Sequence, residues 1–302
     1  MTLTSGRSLA ARLKPYLFVL PAIALLAFWC YRPLVQTLSL AFMRWSMVPG
    51  TKPVFVGMQN FTQLVSNKDF WPAVWNTVYY TVGMLPFSVV IPLFLAVATQ
   101  DINPVAKRVF RALFFVPMIM APVATSTIFQ WLCTPQTGLL NIAFSTLGLS
   151  APGVSFFTDP HLSRFIILLI SGWKMIGFAT ILLSAALTGV NSEYYDAARL
   201  DGANAFQRFR DVTLPLVSPT VMLIVMMSVL FSTQWSFAYI DVLSQGGPYG
   251  TSTNIYYLMY RFAFANMNVG LSAAAAIMFM VVFGIIALAL QRLNKRLSFY
   301  DN

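Results

Sequence analysis

Six apolar stretches, each about the length a helix needs to cross a bilayer, alternate along this chain with polar connections. They cover residues 16–40, 74–99, 110–132, 165–190, 216–240 and 271–290. Prolines interrupt several of them (Pro33, Pro86, Pro92, Pro117 and Pro122). Such breaks are tolerated in a membrane where neighbouring helices or a water-lined path satisfy the freed backbone groups. The pattern predicts an all-α, polytopic membrane protein: six transmembrane helices packed around a pathway, with a short N-terminal segment, 1–15, ahead of them.

Composition narrows the reading further. Of 302 residues, 58% are hydrophobic and 9% charged, against about 25% charged in an ordinary soluble domain. One histidine (His161), two cysteines and nine acids leave little material for a dense catalytic site. No nucleophile–base pair or metal-ligand cluster is visible, so no enzyme activity and no cofactor is expected. Cys30 and Cys133 lie in or beside apolar stretches and read as small buried hydrophobes, without the spacing of a disulfide or metal framework. The net charge of +10 does not point to nucleic acid, because the basic residues form neither a long run nor an aromatic-interleaved patch. The first apolar stretch is too long for a signal-peptide core and no small-residue cleavage site follows it, so it is kept as a mature span.

The basic residues set the orientation. Twelve of the 19 fall beside one set of connections: Arg7, Arg12, Lys14, Lys107, Arg108, Arg111, Arg199, Arg208, Arg210, Arg292, Lys295 and Arg296. Five fall on the other side: Arg44, Lys52, Lys68, Arg164 and Arg261. The richer side is cytoplasmic, so both termini are expected inside. Arg32 and Lys174 lie within apolar stretches. Arg32 stands roughly 27 Å along its helix from Lys14, near the outer interface, where it can snorkel. Lys174 stands roughly 15 Å past Arg164, near the midplane, where an ionisable group is by default a functional hypothesis. Two readings of it stay open: contact with solute, or pairing with an acid, for which Asp241 is the nearest candidate in this chain.

The connection from Glu193 to Pro215 breaks the pattern. It holds four of the nine acids and three basic residues. Ser192 is expected to cap a short helix with Tyr195, Ala198 and Leu200 near one face. Gly202 offers a stop or positive-φ turn. A second amphipathic stretch follows with Ala205, Phe206, Phe209 and Val212, and Pro215 is expected to start the next span. The result is a helix–turn–helix on the cytoplasmic side, read either as a docking surface for a partner or as a solvated loop on the membrane interface.

Tyr195-Asp196-Ala197-Ala198-Arg199-Leu200-Asp201-Gly202-Ala203, followed by Val212-Thr213-Leu214-Pro215, resembles the EAA loop of binding-protein-dependent ABC importer permeases. Asp196 stands where that family usually has glutamate, which keeps the charge on a shorter arm. The resemblance extends over nearly the whole chain and is closest to the carbohydrate-uptake subfamily of maltose and sn-glycerol-3-phosphate type. It is carried by Asn76-Thr77-Val78-Tyr79-Tyr80-Thr81, Phe114-Phe115-Val116-Pro117, Trp131, Gly138-Leu139-Leu140-Asn141, Gly246-Gly247-Pro248, Ile255-Tyr256 and the segment 270–276.

The resemblance implies that residues 191–215 form a coupling helix seated in a cleft of a separate ATPase subunit, with Tyr195, Asp196, Ala197, Ala198, Asp201, Gly202, Leu214 and Pro215 at the contact. It further implies a second, homologous permease subunit, two ATP-binding subunits and an extracytoplasmic solute-binding protein, in the bacterial inner membrane. The outer loops, 43–73 and 134–164, are the natural contact with the binding protein. The chain has no Gly-x-x-x-x-Gly-Lys-Ser/Thr loop of its own. Sugars present apolar C–H faces and polar edges, which suits the aromatics and hydroxyls of the fourth and fifth spans. By comparison with the maltose-type member, Trp173, Lys174, Phe178, Thr233 and Ser236 are expected to line the path; Ser232 and Tyr239 join them as polar residues of the fifth span. The alternative is that such hydroxyls glue helices together. Import of a phosphate ester, polyamine or amino acid by the same machinery remains open. A secondary transporter working alone is disfavoured by the absence of an internal repeat and the scarcity of intramembrane acids.

Overall fold

The structure is a computed structural model that describes residues 9–100, 102–149 and 153–297, with side chains from Tyr16 to Lys295. Arg7 lies outside the described residues, as do the side chains of Arg12, Lys14 and Arg296. The described chain is helical apart from one two-stranded hairpin. Five helices among the described residues are long and apolar enough to cross a membrane, and a bent pair of helices supplies a sixth passage if counted as one.

The chain packs as two units. One holds the residues up to Val65 together with Arg261–Phe279. Here α1 (Leu9–Leu26) passes through a π-helical turn, Ala27–Tyr31, into α2 (Arg32–Ala41). Strands β1 (Met43–Arg44) and β2 (Val54–Phe55) pair antiparallel, and α3 (Gln59–Val65) follows. The buried Asn60 amide donates to the carbonyls of Ala41 and Met43, both at 2.9 Å, which fixes the exit from α2. Arg32 is exposed beside Phe28, its guanidinium 5.2 Å from the ring centre.

The other unit holds Ser66–Tyr260 and the chain from Met280 on. Its helices are α4 (Phe70–Leu85), α5 (Ile91–Ala98), α6 (Pro104–Ile119), α7 (Pro122–Leu132), α8 (Leu139–Thr146) and α9 (Pro160–Thr188). They continue with α10 (Ser192–Leu200), α11 (Ala205–Arg208), α12 (Leu214–Tyr239) and α13 (Ile255–Tyr260). Helix α14 (Val269–Leu297) ends the described chain. Pro86 opens the π-helical turn Pro86–Val90, which joins α4 to α5 without ending the passage. Asp159 caps α9 by accepting from the amides of Leu162 and His161, both at 2.9 Å, and these bonds hold its carboxyl below the usual carboxylate range.

Helix α9 is the hub of this unit. Ile166, Ile167, Ile170, Met175, Ala179 and Leu183 are all fully buried along it. Without a hydrophobic force between helices in lipid, close approach at small residues supplies the packing. Gly177 lies directly against the main chain of Phe114 on α6. The loop after α12 is knitted in by polar bonds. The Asn76 amide donates to the Thr253 carbonyl at 2.9 Å, the Tyr80 hydroxyl to Ser252 at 3.1 Å, and the Ile255 amide to the Thr77 hydroxyl at 3.0 Å. These buried groups are satisfied within the protein, as an apolar surrounding requires.

The third expected span, 110–132, is not one helix. Helices α6 and α7 meet at 97°, with Met120 and Ala121 extended between them (ψ 133° and 135°). Part of the cause is local: the ring of Pro122 disfavours the helical region for Ala121 before it.

Candidate functional site

Two places concentrate polar chemistry: the connection after α9 and a cavity between α9 and α12.

In the connection, α10 is capped one residue earlier than Ser192. The Asn191 side chain accepts from the Glu193 amide at 3.0 Å, and Ser192 is already helical. Asparagine caps as well as serine and reaches the amide two residues on. At the other end, the Gly202 amide donates to Arg199 (3.0 Å) and the Ala203 amide to Ala198 (2.9 Å), with Gly202 at φ +77°. This is a Schellman stop, and glycine takes its left-handed residue without a Cβ penalty. Directly after it, Asn204 and Gln207 form a reciprocal capping box, at 2.9 and 2.8 Å. The signal for that box is present in the sequence, since Asn and Gln stand three apart just before an apolar stretch.

Pro215 does not begin a new helix. The helix runs unbroken from Ala205 to Ser244. A π-helical turn over Phe209–Thr213 precedes Pro215, with the Leu214 amide donating to the Phe209 carbonyl. The wider turn accommodates a proline that would otherwise break a helix interior. The Tyr195 hydroxyl stands 3.1 Å from that of Thr213, which ties α10 back to this turn.

The surface so built is rigid and mixed. Asp196 and Arg199 pair at 3.2 Å, both well exposed, so the pair adds little stability. Ala197 and Asp201 are exposed, Ala198 and Pro215 half-buried, and Leu214 37% exposed. Leu200 and Phe206 project outward at 90% and 68% exposure. A cleft of about 320 Å³ lies in the same connection, lined by Gln100, Tyr195, Asp196, Arg199, Arg208 and Thr213 among others.

The second place is a cavity of about 350 Å³ lined by Pro122, Lys174, Gln234, Trp235, Phe237, Ala238 and Tyr239. Lys174 is buried and its ammonium donates to the Met120 carbonyl at 2.8 Å, with the Trp235 ring centre 6.0 Å away. Its partner is thus a carbonyl and an aromatic face, and neither Asp241 nor any other carboxylate among the described residues pairs with it. Tyr239 shares the cavity with Lys174. Trp173, the neighbour of Lys174, points elsewhere: it is 37% exposed and packs edge-on to Phe129. Phe178 packs with the apolar cluster of Met175, Leu183 and Ile224.

Ser232, Thr233 and Ser236 are fully buried at helix contacts and do not line this cavity. Ser232 meets Thr81 of α4 at 2.9 Å. The Asn254 amide donates to the Thr233 carbonyl and the Ser236 hydroxyl, both at 2.9 Å. Gln234 and Trp235, which do line the cavity, lie in the same polar run of α12. Helical spacing alone does not say which side of that run faces a neighbour.

The family described as binding-protein-dependent transport system inner membrane component matches residues 65–298. A probable ABC transporter permease protein of Pyrococcus horikoshii is 31% identical over 91% of this chain and 94% of its own length. The sn-glycerol-3-phosphate transport system permease protein UgpA of Pectobacterium atrosepticum is 27% identical over 94% of this chain and 95% of its own. A chain in the crystal structure of a bacterial ABC transporter that imports the acidic polysaccharide alginate superimposes with a TM-score of 0.84 at 25% identity, covering 97% of this chain and all of that one. The chain belongs to the family of binding-protein-dependent transport system inner membrane components.

Proposed function

We propose that this chain is the permease subunit of an ATP-driven importer whose solute is a sugar or sugar derivative, working beside a second, homologous permease. Two ATP-binding subunits and an extracytoplasmic solute-binding protein complete the assembly. The observation that carries the reading is the connection after α9: a doubly capped helix–turn–helix that holds Leu200 and Phe206 outward among charges. Large apolar side chains so exposed on a charged, rigid element suit a partner's cleft. The ATPase subunit is that partner, with Asp196, Ala197, Ala198, Asp201 and Gly202 at the contact and Tyr195, Leu214 and Pro215 relaying motion into α12. Twelve basic residues against five support a cytoplasmic position for this element and for both termini.

The solute class rests on the cavity. Trp235, stacked on Phe231 at 4.8 Å, gives the cavity an apolar aromatic wall, and an amide, a phenol and an ammonium give it several hydrogen-bond partners, the combination a sugar ring presents in complement. Relatives that handle a glycerol phosphate and an acidic polysaccharide support the same class. Lys174, Trp235 and Tyr239 are assigned to the path, with Trp173 and Phe178 beside it. Ser232 joins it only in a conformation where α12 parts from α4, and Thr233 and Ser236 only where α12 parts from the Asn254 loop.

The test is reconstitution with a panel of labelled mono- and oligosaccharides. Liposomes holding this chain alone are expected to show neither flux nor ATP hydrolysis, while the complete assembly imports one member of the panel with ATP. Flux through the chain alone overturns the proposal. With the imported sugar known, Trp235→Ala is expected to raise the concentration for half-maximal uptake about threefold to tenfold, the weight of one aromatic contact. An unchanged value removes Trp235 from the path.

A further inference from the structure

The 97° bend between α6 and α7 interrupts the helical ladder and frees polar main-chain groups at Met120 and Ala121, the two extended residues between the helices. In an apolar layer such groups must be met by the protein itself or by a water-lined cavity. Lys174 meets one of them, with Nζ 2.8 Å from the carbonyl oxygen of Met120, the first extended residue of the bend. The side chain is only 6% exposed, and the Trp235 face lies 6.0 Å from the ammonium. No carboxylate among the described residues forms an ion pair with it. The carbonyl of the bend's first extended residue and a ring face therefore provide the negative potential that burial of a cation demands.

The placement is reinforced one turn further along α9. Gly177 lies on the same face as Lys174, and its missing side chain lets the main chain of α6 come into direct contact at Phe114. That approach brings the end of α6 within reach of the ammonium. Beyond the bend, α7 carries Pro122 into the cavity wall and ends at Cys133, which is 2% exposed.

We propose that Lys174 is a positioning residue: its ammonium pins the bend of the third passage to α9 and so fixes α7 as one wall of the solute cavity. The proposal is independent of which solute is carried. Lys174 acts through Met120, whatever its remaining protons offer to a passing solute.

Cys133 is a native reporter of whether α7 is held. In a Cys30→Ser background, inside-out and right-side-out vesicles containing the whole assembly are treated with N-ethylmaleimide and the rate of Cys133 modification is followed. Lys174→Met keeps the length and apolar bulk but deletes the donor. It is expected to speed labelling about tenfold or more, the weight of one charge-assisted hydrogen bond on a local opening. Lys174→Arg retains charge and donor and is expected to label at the parent rate. Should Lys174→Met not accumulate in the membrane, Lys174→Gln, a neutral donor on a shorter arm, must label faster than the parent. Parental labelling in the Met or Gln variant overturns the proposal, and so does an Arg variant that labels as fast as Met. A lysine that only touches solute leaves Cys133 unmoved.

Discussion

Gly177→Ala is expected to remove almost all of this protein from the membrane fraction. A Cβ at residue 177 would overlap the carbonyl oxygen of Phe114 and lie 2.6 Å from its carbonyl carbon. Extra methylenes in a packed core ordinarily cost about 1–3 kcal/mol, because side chains can shift around them. Here the obstacle is the main chain of α6, which moves only if two packed helices separate. The cost should therefore exceed that range and approach the whole stability of a typical domain, about 5–15 kcal/mol. Two other glycines calibrate the result. Gly172→Ala meets the base of the Phe87 ring at Cγ, a side chain that yields less readily than a free ring edge but more readily than main chain, so an intermediate loss is expected. Gly284→Ala meets nothing within 4 Å and gains about 1 kcal/mol of helix propensity, so it should accumulate at least as well as the parent. The measurement is the amount of protein in washed membranes, with the thermal aggregation midpoint in detergent. Parental accumulation of Gly177→Ala would mean that α6 and α9 do not approach as described, and the reach of Lys174 to Met120 would fall with it.

The contrast between these glycines shows where the sequence is readable and where it stops. Apolar runs of about 20 residues have one physical outlet in a membrane, so the helices were legible from hydropathy alone. The bend at Met120 was only half legible. Pro117 and Pro122 mark a disturbance, but whether a proline kinks, widens or breaks a helix depends on what neighbours supply, and Pro86 and Pro215 are passed through π-helical turns instead. The helix–turn–helix after α9 was legible because caps and turn glycines act over three or four residues. The cavity was not. Lys174 stood out as a charge in an apolar stretch, yet its partner is a carbonyl 54 residues away, and a backbone acceptor leaves no trace in the sequence. The fifth passage carries Ser232, Thr233, Gln234, Trp235 and Ser236 in one run. Their division into helix contacts and cavity lining is set by where α4, α9 and the Asn254 loop pack.

The second large effect is expected at Gly202, and it should fall on coupling rather than on folding. Gly202 sits at φ +77°, and a Cβ there would meet nothing within 4 Å. Substitution therefore brings no clash, only the left-handed penalty of an L-residue, about 1–2 kcal/mol and larger for a β-branched side chain. The element cannot absorb that strain by drifting, because both flanks are fixed. The Gly202 and Ala203 amides close α10, and the Asn204–Gln207 box opens the helix that continues to Ser244. Relief of φ at residue 202 must instead swing α10 against α11, which carries Leu200 away from Phe206. The order of effect follows from backbone preference: Asn, which tolerates the left-handed region, near the parent, Ala intermediate, Val worst. With a tag on this chain, Gly202→Val is expected to retain about a tenth of the parent's co-purifying ATP-binding subunit, a change of about 1.4 kcal/mol. Solute-dependent ATP hydrolysis should fall in step, while the amount of inserted protein stays within twofold of the parent. Folding alone cannot produce that split. If Gly202→Val binds its ATP-binding subunit as the parent does, residues 191–215 are not the coupling surface. Loss of the protein from the membrane in all three variants would make Gly202 a folding residue and would equally remove the loop from the docking role.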